Sequence, residues 1–175
     1  MRATVVCESW FGNTRKVAEA IAEPLDAEFL SVDDPVPDLE EIDLLVVGAP
    51  THVHGLSSER SRKAAIEQAG TGADPRRGVR DWLAELPRAE GRQALAFDTR
   101  FDMPALLTGS AAKGIASRLR RQGFELAADP ESFFVLGTDG PLKEGELERA
   151  ASWAGSVSRA TRGSGRPPAV TARPA

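Results

Sequence analysis

Short apolar runs alternate along this chain with longer stretches whose apolar positions recur every three or four residues. Thr4-Val5-Val6-Cys7, Leu44-Leu45-Val46-Val47 and Ala94-Leu95-Ala96-Phe97 have the length and continuity of strands buried on both faces. Between them, Val17, Ala18, Ile21 and Ala22 fall on one helical face, as do Val79, Trp82, Leu83 and Leu86. The pattern predicts strands over 2–8, 28–32, 42–48 and 92–98. It predicts helices over 13–24, 75–86, 109–122 and 144–159, with a short one over 61–68. A fifth strand is expected from Phe124-Glu125-Leu126 and Ser132-Phe133-Phe134-Val135-Leu136, broken at Pro130. Helix 109–122 turns Ile115 and Leu119 inward, carries Arg118, Arg120 and Arg121 near its C-terminal end, and stops at Gly123. Helix 144–159 offers Leu147, Ala150, Ala151, Trp153 and Ala154 for packing. Strict strand–helix alternation implies an α/β fold with parallel strands and right-handed crossovers.

Breakers mark the joints. Asp33-Asp34-Pro35-Val36-Pro37-Asp38 reads as a loop and Gly70-Thr71-Gly72-Ala73-Asp74-Pro75 as a flexible break. After the last helix, Gly163-Ser164-Gly165-Arg166-Pro167-Pro168 opens a stretch with few apolar residues. One domain over 1–160 is expected, followed by a disordered Gly/Pro/Arg tail over 161–175. There is no internal repeat.

The strands end in polar residues on the same side. The first delivers Ser9, Gly12, Asn13 and Thr14 at a helix start; the third delivers Thr51 and His52 after Pro50; the fourth delivers Asp98, Thr99 and Arg100. Open α/β sheets bind ligands at that edge. The first turn admits two readings: Ser9, Asn13 and Thr14 cap a helix, or they and the free backbone amides hold a phosphate.

Here the residues resemble the flavodoxin family. Ser9-x-x-Gly12-x-Thr14 after a strand is similar to the flavodoxin phosphate loop. Gly48-Ala49-Pro50-Thr51-His52-x-x-Gly55 resembles the second, flavin-edge loop, and Phe97-Asp98-Thr99-Arg100 the start of the third. Further segments at Gly109–Ala112, Gly123–Leu126, Pro130–Phe133 and Gly140–Glu146 look like a small bacterial subgroup, so the resemblance spans residues 2 to about 158. It implies a three-layer sandwich around a five-stranded parallel sheet of order 2-1-3-4-5, with FMN as cofactor. Its phosphate would meet Ser9, Asn13, Thr14 and the backbone from Trp10 to Arg15, with Gly12 allowing close approach. Its ring would lie across Pro50, Thr51 and His52 on one side and Asp98, Thr99, Arg100 and Phe101 on the other. Arg100 would place a cation near the pyrimidine edge, unless it is simply a solvated arginine. His52 would hydrogen-bond the ring edge, while His54 would sit at the surface. The chain departs from the family in having Cys7 where an aromatic is usual, bulky Trp10 and Phe11 inside the loop, and no tyrosine. Phe101 is the nearest substitute for a stacking tyrosine, unless it is a core residue, and Trp10 could shield another edge.

Composition narrows the function classes. A length of 175 residues, 41% hydrophobic and 27% charged, suits one globular domain. No secretory leader or bilayer-length apolar run is visible, and the lone Cys7 excludes an internal disulfide, so a cytoplasmic protein without membrane attachment is expected. The net charge of −4 hides an asymmetry. The last seventeen residues hold four arginines and no acid, leaving 18 basic against 26 acidic side chains in the body, a net of −8. Such a body disfavours nucleic acid and suits a basic redox partner. His52-x-His54 lacks a completing Cys or carboxylate pattern, so no metal site is expected. Three functions stay open: an electron-transfer protein acting as a monomer or weak dimer between redox partner proteins, an FMN-dependent NAD(P)H:quinone reductase or related oxidoreductase, and an interaction module that has lost FMN. No catalytic side chain is singled out.

Overall fold

The computed structural model describes residues 1–52, 55–70, 74 and 77–163. Strands β1 (Ala3–Cys7), β2 (Glu28–Ser31), β3 (Leu44–Pro50), β4 (Gln93–Phe101), β5 (Glu125–Leu126) and β6 (Glu131–Val135) form one sheet of order β2-β1-β3-β4-β5, with β6 also on β4. Every pairing is parallel. β5 pairs with Gln93 and Ala94, β6 with Phe97 to Phe101. They are two halves of one edge strand, parted where Pro130 was expected to interrupt it. The expected order 2-1-3-4-5 is the observed one.

The helices are α1 (Asn13–Leu25), α2 (Glu59–Ala69), α3 (Val79–Glu85), the single turn α4 (Ala105–Thr108), α5 (Ala111–Arg121) and α6 (Glu146–Gly163). Alternate residues of each apolar strand feed opposite cores. Val5 and Cys7 of β1, Leu44 and Val46 of β3, and Leu95 and Phe97 of β4 face α1 and α6. Val6, Leu45, Val47, Ala94 and Ala96 face α3 and α5. That period of two, inside runs apolar at every position, is what makes three layers. Gly48 is required by its cross-strand neighbour: a Cβ there would lie 2.0 Å from the Phe97 ring. Phe97 in turn meets Phe133 edge-on, and Phe133 meets Trp153, fastening α6 to the sheet.

Several boundaries differ from the sequence reading. β4 continues through Phe101, because β6 supplies ladder partners for Thr99, Arg100 and Phe101. Those three residues end a strand and do not begin a loop. The third helix starts at Val79, not 75. Leu147 is exposed rather than packed. α6 runs to Gly163, past the expected domain end at 160; residues 164–175 of the expected tail, His54 and most of the 70–75 break lie outside the described residues. Cys7 is buried, and burial pushes its thiol up to about 12, so it behaves as a small apolar side chain.

Candidate functional site

A cavity of about 710 Å³ opens at the C-terminal ends of β1, β3, β4 and β6. Trp10, Phe11, Asn13 and Thr14 line it from the first loop, and Pro50, Thr51 and His52 from the second. Thr99, Arg100 and Phe101 line it from the end of β4. The fold thus gathers ten of the thirteen expected site residues around one space. Ser9, Gly12 and Asp98 do not line it.

Gly12 adopts φ 83°, left-handed backbone that a side chain would strain, and turns the chain from β1 into α1. The Ser9 hydroxyl accepts from the Arg15 amide at 3.2 Å. The Lys16 amide bonds Gly12 O, the first intrahelical bond, so the amides of Asn13 and Thr14 have no intrahelical acceptor. The Thr14 hydroxyl pairs with that of Thr99 at 2.7 Å, joining the first loop to β4. Asn13 donates its side-chain amide to Asp139 O and so docks the loop after β6. Ser9 thus serves an amide of the first helical turn, while Asn13, Thr14 and Thr99 line the cavity. Lys16 points to solvent.

The second loop rests on a buried ionic cluster. Glu8, fully buried at the end of β1, accepts from Trp10 Nε1 at 2.8 Å, from the Ser57 hydroxyl at 2.9 Å and from the Val79 amide at 2.8 Å. The equally buried Arg62 of α2 donates to the Ser57 hydroxyl and to Asp81 of α3. Nε2 of His52 is buried, lies 4.0 Å from Glu8 Oε1, and has no hydrogen-bond partner among the described residues. Burial lowers the His52 pKa, Glu8 opposes that shift and Arg62 adds to it.

Asp98 anchors the third side from within. It is fully buried, and its Oδ2 accepts from the hydroxyls of Thr51 and Ser110 and from the Ala112 amide, at 2.7–3.0 Å. It therefore positions Thr51 and the start of α5, and Asp98 itself does not line the cavity. Arg100 is not the solvated arginine of the alternative reading. Its guanidinium donates to Ser132 Oγ, to the carbonyls of Phe101 and Met103 and to Thr108, and stacks over Phe134. It is neither solvated nor free; it staples the 101–108 segment while leaving its charge on the cavity wall. Phe101 is 41% exposed, which sets aside a core role.

Sequence reasoning missed Glu8, Arg62 and the wall along α2, where Leu56, Ser61, Ala65 and Gln68 extend the cavity beside Arg60 and Arg80. A signal for Arg62 existed: it shares the helical face of Ala65 and Ile66, the apolar side of α2. Among the described residues no group of three His, Cys, Asp or Glu side chains is arranged to hold a metal, and no helix is long and apolar enough to cross a membrane.

No family model and no curated protein matches the sequence. Solved structures do match in three dimensions. A flavodoxin from the domain Archaea is 20% identical with a TM-score of 0.64, covering 93% of this chain and 99% of its own. Flavodoxin 2 from Bacillus cereus is 17% identical with a TM-score of 0.66, covering 91% and 99%. A variant flavodoxin from Fusobacterium nucleatum bound to flavin mononucleotide is 10% identical with a TM-score of 0.56, covering 91% and 96%. Across more than nine-tenths of its length, with the strand order and layering described above, this chain is flavodoxin-like in fold.

Proposed function

We propose that this protein binds FMN in the cavity and carries electrons between redox partner proteins. The observation that carries the reading is the cavity floor: unbonded amides of Asn13 and Thr14 at the start of α1, beside the Thr14 and Thr99 hydroxyls, under walls made by Trp10, Phe11 and Phe101. A helix N-terminus with hydroxyl donors suits a phosphate, and aromatic walls suit a flat ring. Bound FMN would supply one- and two-electron redox chemistry. The chain's own residues would hold and orient it: the first loop around the phosphate, Thr51 and His52 at one ring edge, and Phe101 at the exposed side. The Arg100 charge on the wall would favour electron density placed nearby. The acidic body suits a basic partner.

A second reading keeps the cofactor and adds a small substrate. The extension of the cavity along α2, beside Arg60 and Arg80, favours it. NAD(P)H oxidation by the purified protein without added reductase would establish that reading; its absence leaves electron transfer between proteins.

Titration of cofactor-free protein with FMN tests the common core. Binding with a flavin spectrum is expected. Thr14→Ala should weaken it by about 1.5–3 kcal/mol, the value of a hydrogen bond to a charged group, with Ser9→Ala weakening it less because Ser9 acts through the Arg15 amide. A chain that binds no FMN is the interaction module instead.

A further inference from the structure

We propose that His52 is a proton acceptor coupled to electron arrival in the cavity, with Glu8 as its fixed counter-charge. The inference rests on the flavin reading for the source of the incoming charge. The geometry of the acceptor is this chain's own.

Nε2 of His52 is buried on a residue that lines the cavity, and no described group bonds to it. A buried polar atom without a partner is costly, so its retention asks for a reason. The charges around it come from every element that packs nearby. Glu8 at the end of β1 is the one anion within ion-pair reach among the described residues. Arg62 reaches in from α2 and is itself held by Asp81 of α3. Arg60, Arg80 and Arg100 stand on the walls of the same cavity. With the cavity free of negative charge, burial and Arg62 together outweigh Glu8, and the imidazole is neutral at pH 7. Adding one negative charge reverses the balance, because an opposite charge at close range favours the protonated form.

The step is simple in its balance. Two electrons would pass from a reduced partner protein, or from dithionite in the experiment, to bound FMN, which would take up one proton from solvent and keep one added negative charge. One extra proton passes from solvent to Nε2 of His52, where it forms the new N–H. Glu8 is held in place by Trp10, Ser57 and the Val79 amide. The imidazolium then faces Glu8 on one side and the new negative charge on the other.

The chain has two histidines, so proton-detected imidazole spectra of wild type and His52→Asn assign His52 by difference. The expected result with FMN is an imidazole neutral at pH 7 when oxidised and protonated at pH 7 after reduction with dithionite. Redox titration gives an independent readout. Across the range where His52 titrates, the wild-type midpoint potential should fall more steeply with pH than that of His52→Asn, by about 30 mV per pH unit for a two-electron couple taking up one extra proton. Glu8→Gln should shrink the extra slope. Should that variant fail to fold, His52→Gln repeats the comparison at a partly exposed position. Equal slopes in wild type and His52→Asn, or a His52 signal that ignores reduction while FMN is bound, overturn the proposal alone. A chain that binds no FMN overturns it together with the flavin reading.

Discussion

Two buried carboxylates stand at the ligand edge, and the cation associated with each comes from a different part of the fold. Glu8, at the end of β1, is tied through Ser57 to a buried guanidinium, Arg62, which is paired in turn with Asp81. Asp98, late in β4, is served by two hydroxyls and the amide of Ala112 at the start of α5, with Arg100 at 4.0 Å. The first relies on a side-chain cation brought from a distant helix. The second has its cation, Arg100, on its own strand, and both carboxylates accept from an amide at the start of a helix, Val79 of α3 for Glu8 and Ala112 of α5 for Asp98. The difference concerns what each one holds. Asp98 locks α5, whose Ala111, Ile115, Ala116 and Leu119 already belong to the core. Glu8 locks α2, none of whose residues belongs to either core cluster. α2, which walls the cavity, therefore adds polar contacts to the burial of Ala65 and Ile66, whereas α5 is held by packing in the core.

Removing the distant cation should break the comparison most sharply. Arg62→Ala leaves Glu8 buried without its compensating charge, a change that typically costs about 3–5 kcal/mol. Chemical denaturation should show that loss, and hydrogen exchange should show α2 opening ahead of α5. Equal protection of the two helices would mean that Arg62 is not what holds α2.

Asp98→Asn tests the other node. The shape persists, but charge-assisted bonds from Thr51, Ser110 and Ala112 weaken. A loss of about 1.5–3 kcal/mol is expected, in the same global transition as the rest of the domain. A separate early transition of α5 would contradict the packing argument.

Gly78→Ala sharpens the contrast sterically. Its backbone is ordinary extended chain, yet a Cβ there would fall 2.7 Å from Arg62 Nη1 and 2.8 Å from Glu8 Oε2. Crowding of this kind costs about 1–3 kcal/mol. Combined with Arg62→Ala, much of that cost should vanish, since one of the obstructing groups is gone; full additivity in denaturation would place the clash elsewhere.

The smallest effect concerns pH. The His52 pKa is lowered in the folded protein, chiefly by burial, so the unfolded chain binds more protons between the folded value and the ordinary one. Stability is then full above the ordinary histidine range and falls as pH drops through the interval below it. One group contributes at most about 1.4 kcal/mol per pH unit. Melting curves of wild type and His52→Asn should converge in their pH dependence above that range and diverge below it. Parallel curves throughout would mean that burial does not depress His52.

The sequence by itself determined the layering and the edge. Apolar runs such as Leu44–Val47 can only be strands covered on both faces, and the helical stripes supply the covers. It also placed Trp10, Thr14, His52 and Phe101 around one space, because parallel strands with right-handed crossovers send their C-terminal ends to the same side. Local pattern could not show where strand β4 ends, since Thr99 to Phe101 stay extended only because β6 pairs with them. Nor could it show that Glu8 meets Ser57, 49 residues away, and Val79, 71 residues away, or that Asp98 meets Thr51, 47 residues away. A charged residue beside an apolar run reads as the start of a surface turn. Only the tertiary structure, by bringing a guanidinium or a helix N-terminus to meet it, made burial of that charge affordable.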